Sequence, residues 1–330
     1  MNIKKYIPHF LLVMTAMIWG FAFVAQDMVE GIGPSTVIWA RNWIAAAFLI
    51  GVVIIFDKLN GGKRQLFSRR GIDMTQTEWI GGALCGLCLA VASFFQQLGI
   101  QAGTDGGKAA FITTLYVVIV PIYSIFIKKR PPVTIWISVA IAAVGFYLLC
   151  IKGDVGISPS DLYVVMAALL FPFHILVIDY FTPKCDGVRL SLIQFIVSAL
   201  IMTPFSFIMD GGISFEAIGN NILPIVFLGI FSSGVAYTLQ ILGQNGPDPS
   251  VASIIMSLES VFGVIGTALF LGSVLEVREY IGCAIVFTAV VLTQIDFKPK
   301  KKKTAPEDEG APDAIEDEGT PTPPAGDAAL

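Results

Sequence analysis

Ten stretches of this chain are apolar for about twenty residues each, and that pattern leaves few folds open. They run over 9–27, 35–56, 79–99, 108–127, 133–151, 161–180, 189–208, 222–243, 250–271 and 278–295. A helix needs about 20 apolar residues to cross the hydrocarbon core, and a lipid-facing segment must satisfy its backbone internally. Each run therefore reads as a transmembrane helix. Composition agrees: 55% of residues are hydrophobic and 14% charged, against roughly 25% charged in soluble domains. The predicted fold class is an all-α integral membrane protein of ten transmembrane helices. Most connections are short and punctuated by Gly, Pro, Asp or Asn; only that from Asp57 to Glu78 is sizeable.

Basic residues set the orientation. With the N-terminus in the cytoplasm, seventeen Lys and Arg fall on the cytoplasmic side and three, Lys108, Lys152 and Arg278, outside, with Arg41 inside the second span. An even number of spans returns the C-terminus to the cytoplasm. The expected location is the cell membrane, crossed many times, with both termini cytoplasmic. The segment from Lys298 onward carries five Lys and eight acids, is rich in Pro and Gly, and reads as a disordered tail. Of the net charge of -4, the tail holds -3, so the body is nearly neutral and suits a lipid bilayer, not a nucleic acid.

The two halves resemble each other. QQLGIQAGTDGGKAAFITTL, ending at Leu115, aligns with QILGQNGPDPSVASIIMSL, ending at Leu258, with one gap. WISVAIAAVGFYLL from Trp136 aligns with YIGCAIVFTAVVLT from Tyr280, and IWGFAFVAQDM from Ile18 with LFPFHILVIDY from Leu170. The predicted division is 1–152 and 157–297 as five-helix repeats, with 298–330 as tail. Five spans is an odd number, so the second repeat enters the membrane inverted. Two inverted halves around one midplane site can open to either face in turn, which is a property of transporters.

The motifs IWGFAFVAQD in the first span, Arg41 in the second, GGKAAFITTLYVVIVPIY at the fourth and SLESVFGVIGTALFLGSVLEVREYIG across the ninth and tenth resemble the drug/metabolite transporter superfamily. Within it the chain is similar to the ten-helix EamA-type permeases, over residues 9 to 295. It departs in having Ser260 where the family often has Pro, and Ser273 where it often has Glu. The resemblance implies secondary transport of small organic solutes, often export, through a central cavity lined by both repeats.

Glu259 lies near the middle of the ninth run, where an ionised acid costs roughly 3 kcal/mol. Such a residue usually faces a cavity or pathway; the plainer alternative is an acid paired within the bundle. His174 falls at a similar depth on the sixth span. Glu259 is expected to change protonation or pair with the solute, with His174 tuning it or packing beside Pro172. Lys108, at a helix start that disfavours a cation, calls for a partner, Asp105, another helix or an anionic solute, or else snorkels to the interface. Asp27 is the nearest acid expected for Arg41. Gln96 and Gln240 are repeat mates that read as helix–helix glue or solute ligands. Trp19 and Tyr116, with Phe94, Phe95 and Tyr237, could form an aromatic wall. Pro121, Pro172, Pro204 and Pro224 are candidate helix breaks.

Two His far apart and five Cys, with a CxxC at Cys85 and Cys88 inside an apolar helix, offer no metal cluster and no nucleophile–base set. No enzyme activity and no cofactor are expected, and GTDGGK departs from a phosphate-binding loop. The predicted function is secondary transport, as an exporter, of small metabolites such as amino acids. A phosphorylated-sugar or nucleotide-sugar exchanger is the alternative. The expected partners are a small-molecule solute and lipid, with proton coupling and a homodimer left open.

Overall fold

The computed structural model describes residues 6–59, 61, 66–68, 71–104, 106–150, 158–271 and 276–293. Asp105, Lys152, Ser273 and the tail from Lys298 lie outside them. The described residues form helices, with one hairpin of two-residue strands, β1 (Phe67–Ser68) and β2 (Gly71–Ile72), in the long connection.

The first half holds α1 (Ile7–Asp27), α2 (Pro34–Leu59), α3 (Gln76–Gln101), α4 (Gly106–Thr113), α5 (Tyr116–Phe126) and α6 (Val133–Cys150). The second holds α7 (Pro159–Phe181), α8 (Gly187–Met209), α9 (Phe215–Asn220), α10 (Ile222–Phe227), a π-helical segment (Leu228–Tyr237), α11 (Thr238–Gly243), α12 (Pro249–Met256), α13 (Glu259–Leu271) and α14 (Val277–Thr293). Counting α4 with α5, α10 with α11, and α12 with α13, eight helices among the described residues are long and apolar enough to cross a membrane. The fifth and tenth runs form the shorter α6 and α14, of 18 and 17 residues, and α14 opens on Arg278 and Glu279.

Polar caps set the helix starts. Thr75 and Glu78 exchange hydrogen bonds at the head of α3. Asp186 accepts from Val188 and Arg189 at α8, and Asp248 from Ser250 at α12. Each satisfies backbone N–H groups that a helix start leaves bare. A cap can also come from elsewhere: Asp210, beyond α8, accepts from the Thr36 amide at 2.7 Å and ties the head of α2 to the end of α8.

Helices pack through small residues. A methyl on Gly20 of α1 would stand 2.5 Å from Phe262 Cβ and 2.7 Å from the Glu259 carbonyl oxygen. Only glycine permits this close crossing of α1 and α13, as dispersion-driven packing in lipid favours. α3 lies against α7 and α8, α2 against α8, and α6 against α14. Leu59, Phe126, Ile208, Leu223 and Phe270 point outward, as acyl chains require.

Polar ties gather at two opposite ends. At one, Asp161 accepts from Thr104 (3.1 Å), Lys108 (2.5 Å) and the Ser158 amide (2.7 Å), and Asn221 exchanges hydrogen bonds with the Glu30 backbone. At the other, buried Arg189 reaches Asp57 Oδ1 and the Asp73 carbonyl, both at 2.6 Å, and Lys129 reaches Asp179 at 2.5 Å.

Candidate functional site

Midway between those ends lies a cavity of about 40 Å³. α1 supplies Trp19, Phe23 and Gln26; α2 supplies Arg41; α3 and α5 supply Gln96 and Tyr116. From the second half come Phe171 and His174 of α7, Ser232 and Tyr237 of the π-helical segment, Gln240 of α11 and Glu259 of α13. The structure thus brings seven of the eight residues singled out in the sequence to one place: Glu259, His174, Arg41, Gln96, Gln240, Trp19 and Tyr116. Room for about three waters is too little for a metabolite, so the walls must part for a solute to bind.

The fourth and ninth spans break beside this cavity, and they break alike. α4 ends at Thr113 and α5 begins at Tyr116; α12 ends at Met256 and α13 begins at Glu259. The aligned pair Thr114 and Ser257 occupy the gaps. Thr114 Oγ1 donates to the Phe111 carbonyl at 2.7 Å, and Ser257 Oγ to the Ile254 carbonyl at 2.6 Å. A hydroxyl that takes the carbonyl three residues back competes with the helical ladder. Both breaks tighten into three-residue turns, with Leu115 N–H on the Ile112 carbonyl and Leu258 N–H on the Ile255 carbonyl. Tyr116 and Glu259 each open the helix that follows. Glu259 so gains the positive end of the α13 dipole.

The prolines expected to break spans do not. Pro121, Pro172 and Pro204 sit within continuous helices, and Pro224 lies in the first turn of α10, where its missing N–H costs little. The hydroxyl residues Thr114 and Ser257 mark the breaks instead.

The cavity wall is polar and incompletely paired. Glu259 Oε1, the Tyr116 hydroxyl, Gln240 Oε1 and Gln26 Oε1 are buried without a hydrogen-bond partner. The Tyr116 hydroxyl lies beside the Glu259 carboxyl, but no hydrogen bond of sound geometry closes between them. Gln96 Nε2 donates to Thr113 Oγ1 at 3.1 Å. His174 Nε2 meets Gln194 Oε1 at 3.0 Å, so its polar contact is with Gln194 and not with Glu259. Tyr237 is the aromatic hub, 4.7 Å from the Trp19 ring and 5.6 Å from that of His174. Phe94 and Phe95 pack on each other away from the cavity, and Phe23 and Phe171 take the places expected for them.

One expected pairing falls out differently. Arg41 Nε donates to Ser233 Oγ at 3.0 Å and not to Asp27, which lines a separate hollow at the end of α1. Lys108 does not line the cavity; of the partners expected for it, another helix is the one seen, with Asp161 at the head of α7, while Asp105 lies outside the described residues.

The family model described as the EamA-like transporter family matches residues 7–151 and again 158–295. The chain belongs to that family. An uncharacterized transporter of Archaeoglobus fulgidus is 26% identical over 303 residues, 89% of this chain and 88% of its own. The uncharacterized transporter YwfM of Bacillus subtilis is 24% identical over 312 residues, 92% of this chain and 98% of its own. A solved crystal structure superposes with a TM-score of 0.68 at 15% identity, over 87% of this chain and 96% of its own; it speaks for the fold alone. This EamA-like chain is therefore a multi-pass membrane transporter of the drug/metabolite transporter superfamily.

The π-helical segment was not foreseen. Its wider turn meets α1 and α2 at the cavity: Trp19 Nε1 donates to the Ser232 carbonyl at 3.2 Å, and Thr15 Oγ1 to that of Ala236 at 3.1 Å. The only sequence signal is the run GIFSSGVAY, small and polar within an apolar span, where π turns often mark functional sites.

Proposed function

We propose that this EamA-like transporter moves small zwitterionic solutes, amino acids and their relatives, by alternating access around the central cavity. The observation that carries the reading is the joint presence of Arg41 and Glu259 in that cavity with no ion pair between them. A guanidinium and a carboxylate facing a confined space suit a solute with a carboxylate at one end and an ammonium at the other. The rings of Trp19, Tyr237 and Tyr116 add faces on which an ammonium or an apolar side chain can rest.

The proposed architecture is two inverted five-helix repeats, 1–152 and 157–297, with both termini cytoplasmic in the cell membrane. The twofold match of one family model and the paired breaks after Thr113 and Met256 support it. In this scheme the breaks let the half-helices tilt, and the ion pairs at the two ends release in turn. Export is the direction the family resemblance implies. Proton coupling belongs to the proposal: a carboxylate crossing between open states without solute needs either a cation or a proton, and Glu259 is that carboxylate. Lys108 and Arg41 do not share the cavity, which weighs against a phosphorylated solute.

Thermal unfolding in detergent tests the solute class. Zwitterionic amino acids should raise the Tm of the wild-type protein, while matched amines and matched carboxylates should not. A ligand at a hundred times its Kd stabilises by about 2.7 kcal/mol. Stabilisation by sugar phosphates alone would reverse the reading.

A further inference from the structure

A second hollow, of about 570 Å³, lies at the turn between α1 and α2. It is lined by two exposed carboxylates, Asp27 and Glu30, and by Ile100 and Gln101 of α3, with no basic residue among the described lining. Gln26 lines both this hollow and the central cavity. The residue is 4% exposed and its Oε1 has no hydrogen-bond partner, while Nε2 makes only a long 3.4 Å contact to the Ala22 carbonyl. A buried acceptor between a solvent-open acidic hollow and an inner cavity is placed to receive a donor passing from one to the other.

We propose that this hollow is a vestibule that gathers solutes by a positively charged amino group and delivers them to the central cavity past Gln26. Two carboxylates in a concave, low-dielectric surface raise the local concentration of cations by long-range attraction. Gln26 Oε1 then accepts from the ammonium where water is excluded. The Asp27 carboxylate also faces the start of α4, 3.5 Å from the position a methyl on Gly106 would take, so Glu30 is the residue to vary first. The inference rests on the transporter reading of the cavity but adds a site outside it.

The test uses thiol chemistry and needs no turnover. Gln26→Cys is placed in a full chain whose five native cysteines are replaced, and is reacted with cationic MTSET and anionic MTSES. Each rate is divided by that of a free thiol. The expected normalised preference for MTSET is about fivefold or more at low salt, falling toward one with Glu30→Gln and at about 1 M salt. A preference of one or less, or one that Glu30→Gln leaves unchanged, overturns the vestibule. Gln101→Cys, on the hollow's far wall, repeats the measurement should Gln26→Cys fail to fold. Reaction at Gln101→Cys with a folded but unreactive Gln26→Cys overturns the passage past Gln26. A chain that keeps the preference but binds no zwitterion loses the reading of the cavity, not the vestibule.

Discussion

At the scale of single residues, the site depends on what is small as much as on what is charged. Gly20 has no room for a methyl because the Glu259 carbonyl and Phe262 occupy that space. Gly20→Val should push α13 away from α1, cost about 2 kcal/mol by overpacking and displace the Glu259 carboxylate within the cavity wall it shares with Arg41. Thermal unfolding would show a lowered Tm; an unchanged Tm would mean that the crossing yields freely. Cys185, between α7 and α8, has its thiol pushed up to about 11, first by burial and then by the Glu78 and Asp186 carboxylates. In a chain with Cys185 as its sole cysteine, maleimide labelling should accelerate about tenfold per pH unit from pH 7 toward pH 10. A plateau near pH 9 would contradict that environment. The linkage has one sign: below pH 9 the thiol is neutral folded or unfolded, and stability falls only as pH rises from 9.0 toward about 11.

At the scale of elements, helices were legible and their interruptions were not. Apolar runs announce α1, α2, α3, α7 and α8, because length and hydropathy determine what lipid will accept. The breaks at Thr114 and Ser257 have no such signature: a single hydroxyl in an apolar span reads as ordinary until its carbonyl acceptor is seen. The ties at the ends were hidden for a related reason. Arg189 counts as a cytoplasmic charge in the sequence, yet it is buried and holds Asp57 and the Asp73 carbonyl, residues far away along the chain. Arg189→Met should leave Asp57 unpaired and cost about 3 kcal/mol, read as a lowered Tm. Arg189→Lys should recover only part of that loss, since an ammonium lacks the fork that reaches both acceptors. Full recovery with Lys would show that charge alone matters there.

At the scale of the whole molecule, seven of the eight sequence candidates line one cavity, and two pairs of them are mates in the alignment of the halves. Gln96 with Gln240, and the residues that follow Leu115 with those that follow Leu258, are mates in sequence and neighbours of one space. Alignment could not reveal that Lys108 belongs to an end tie, since its partner Asp161 comes from a segment outside the aligned stretches. The central claim is that this cavity carries a zwitterion between Arg41 and Glu259. Counterflow of labelled amino acids into proteoliposomes tests it most directly, with wild type, Glu259→Gln and Arg41→Gln compared at matched folded protein. The account predicts that wild type accumulates at least one α-amino acid and that each variant loses accumulation by tenfold or more, about 1.4 kcal/mol or above. Variants that accumulate the same amino acid as fast as wild type would contradict it.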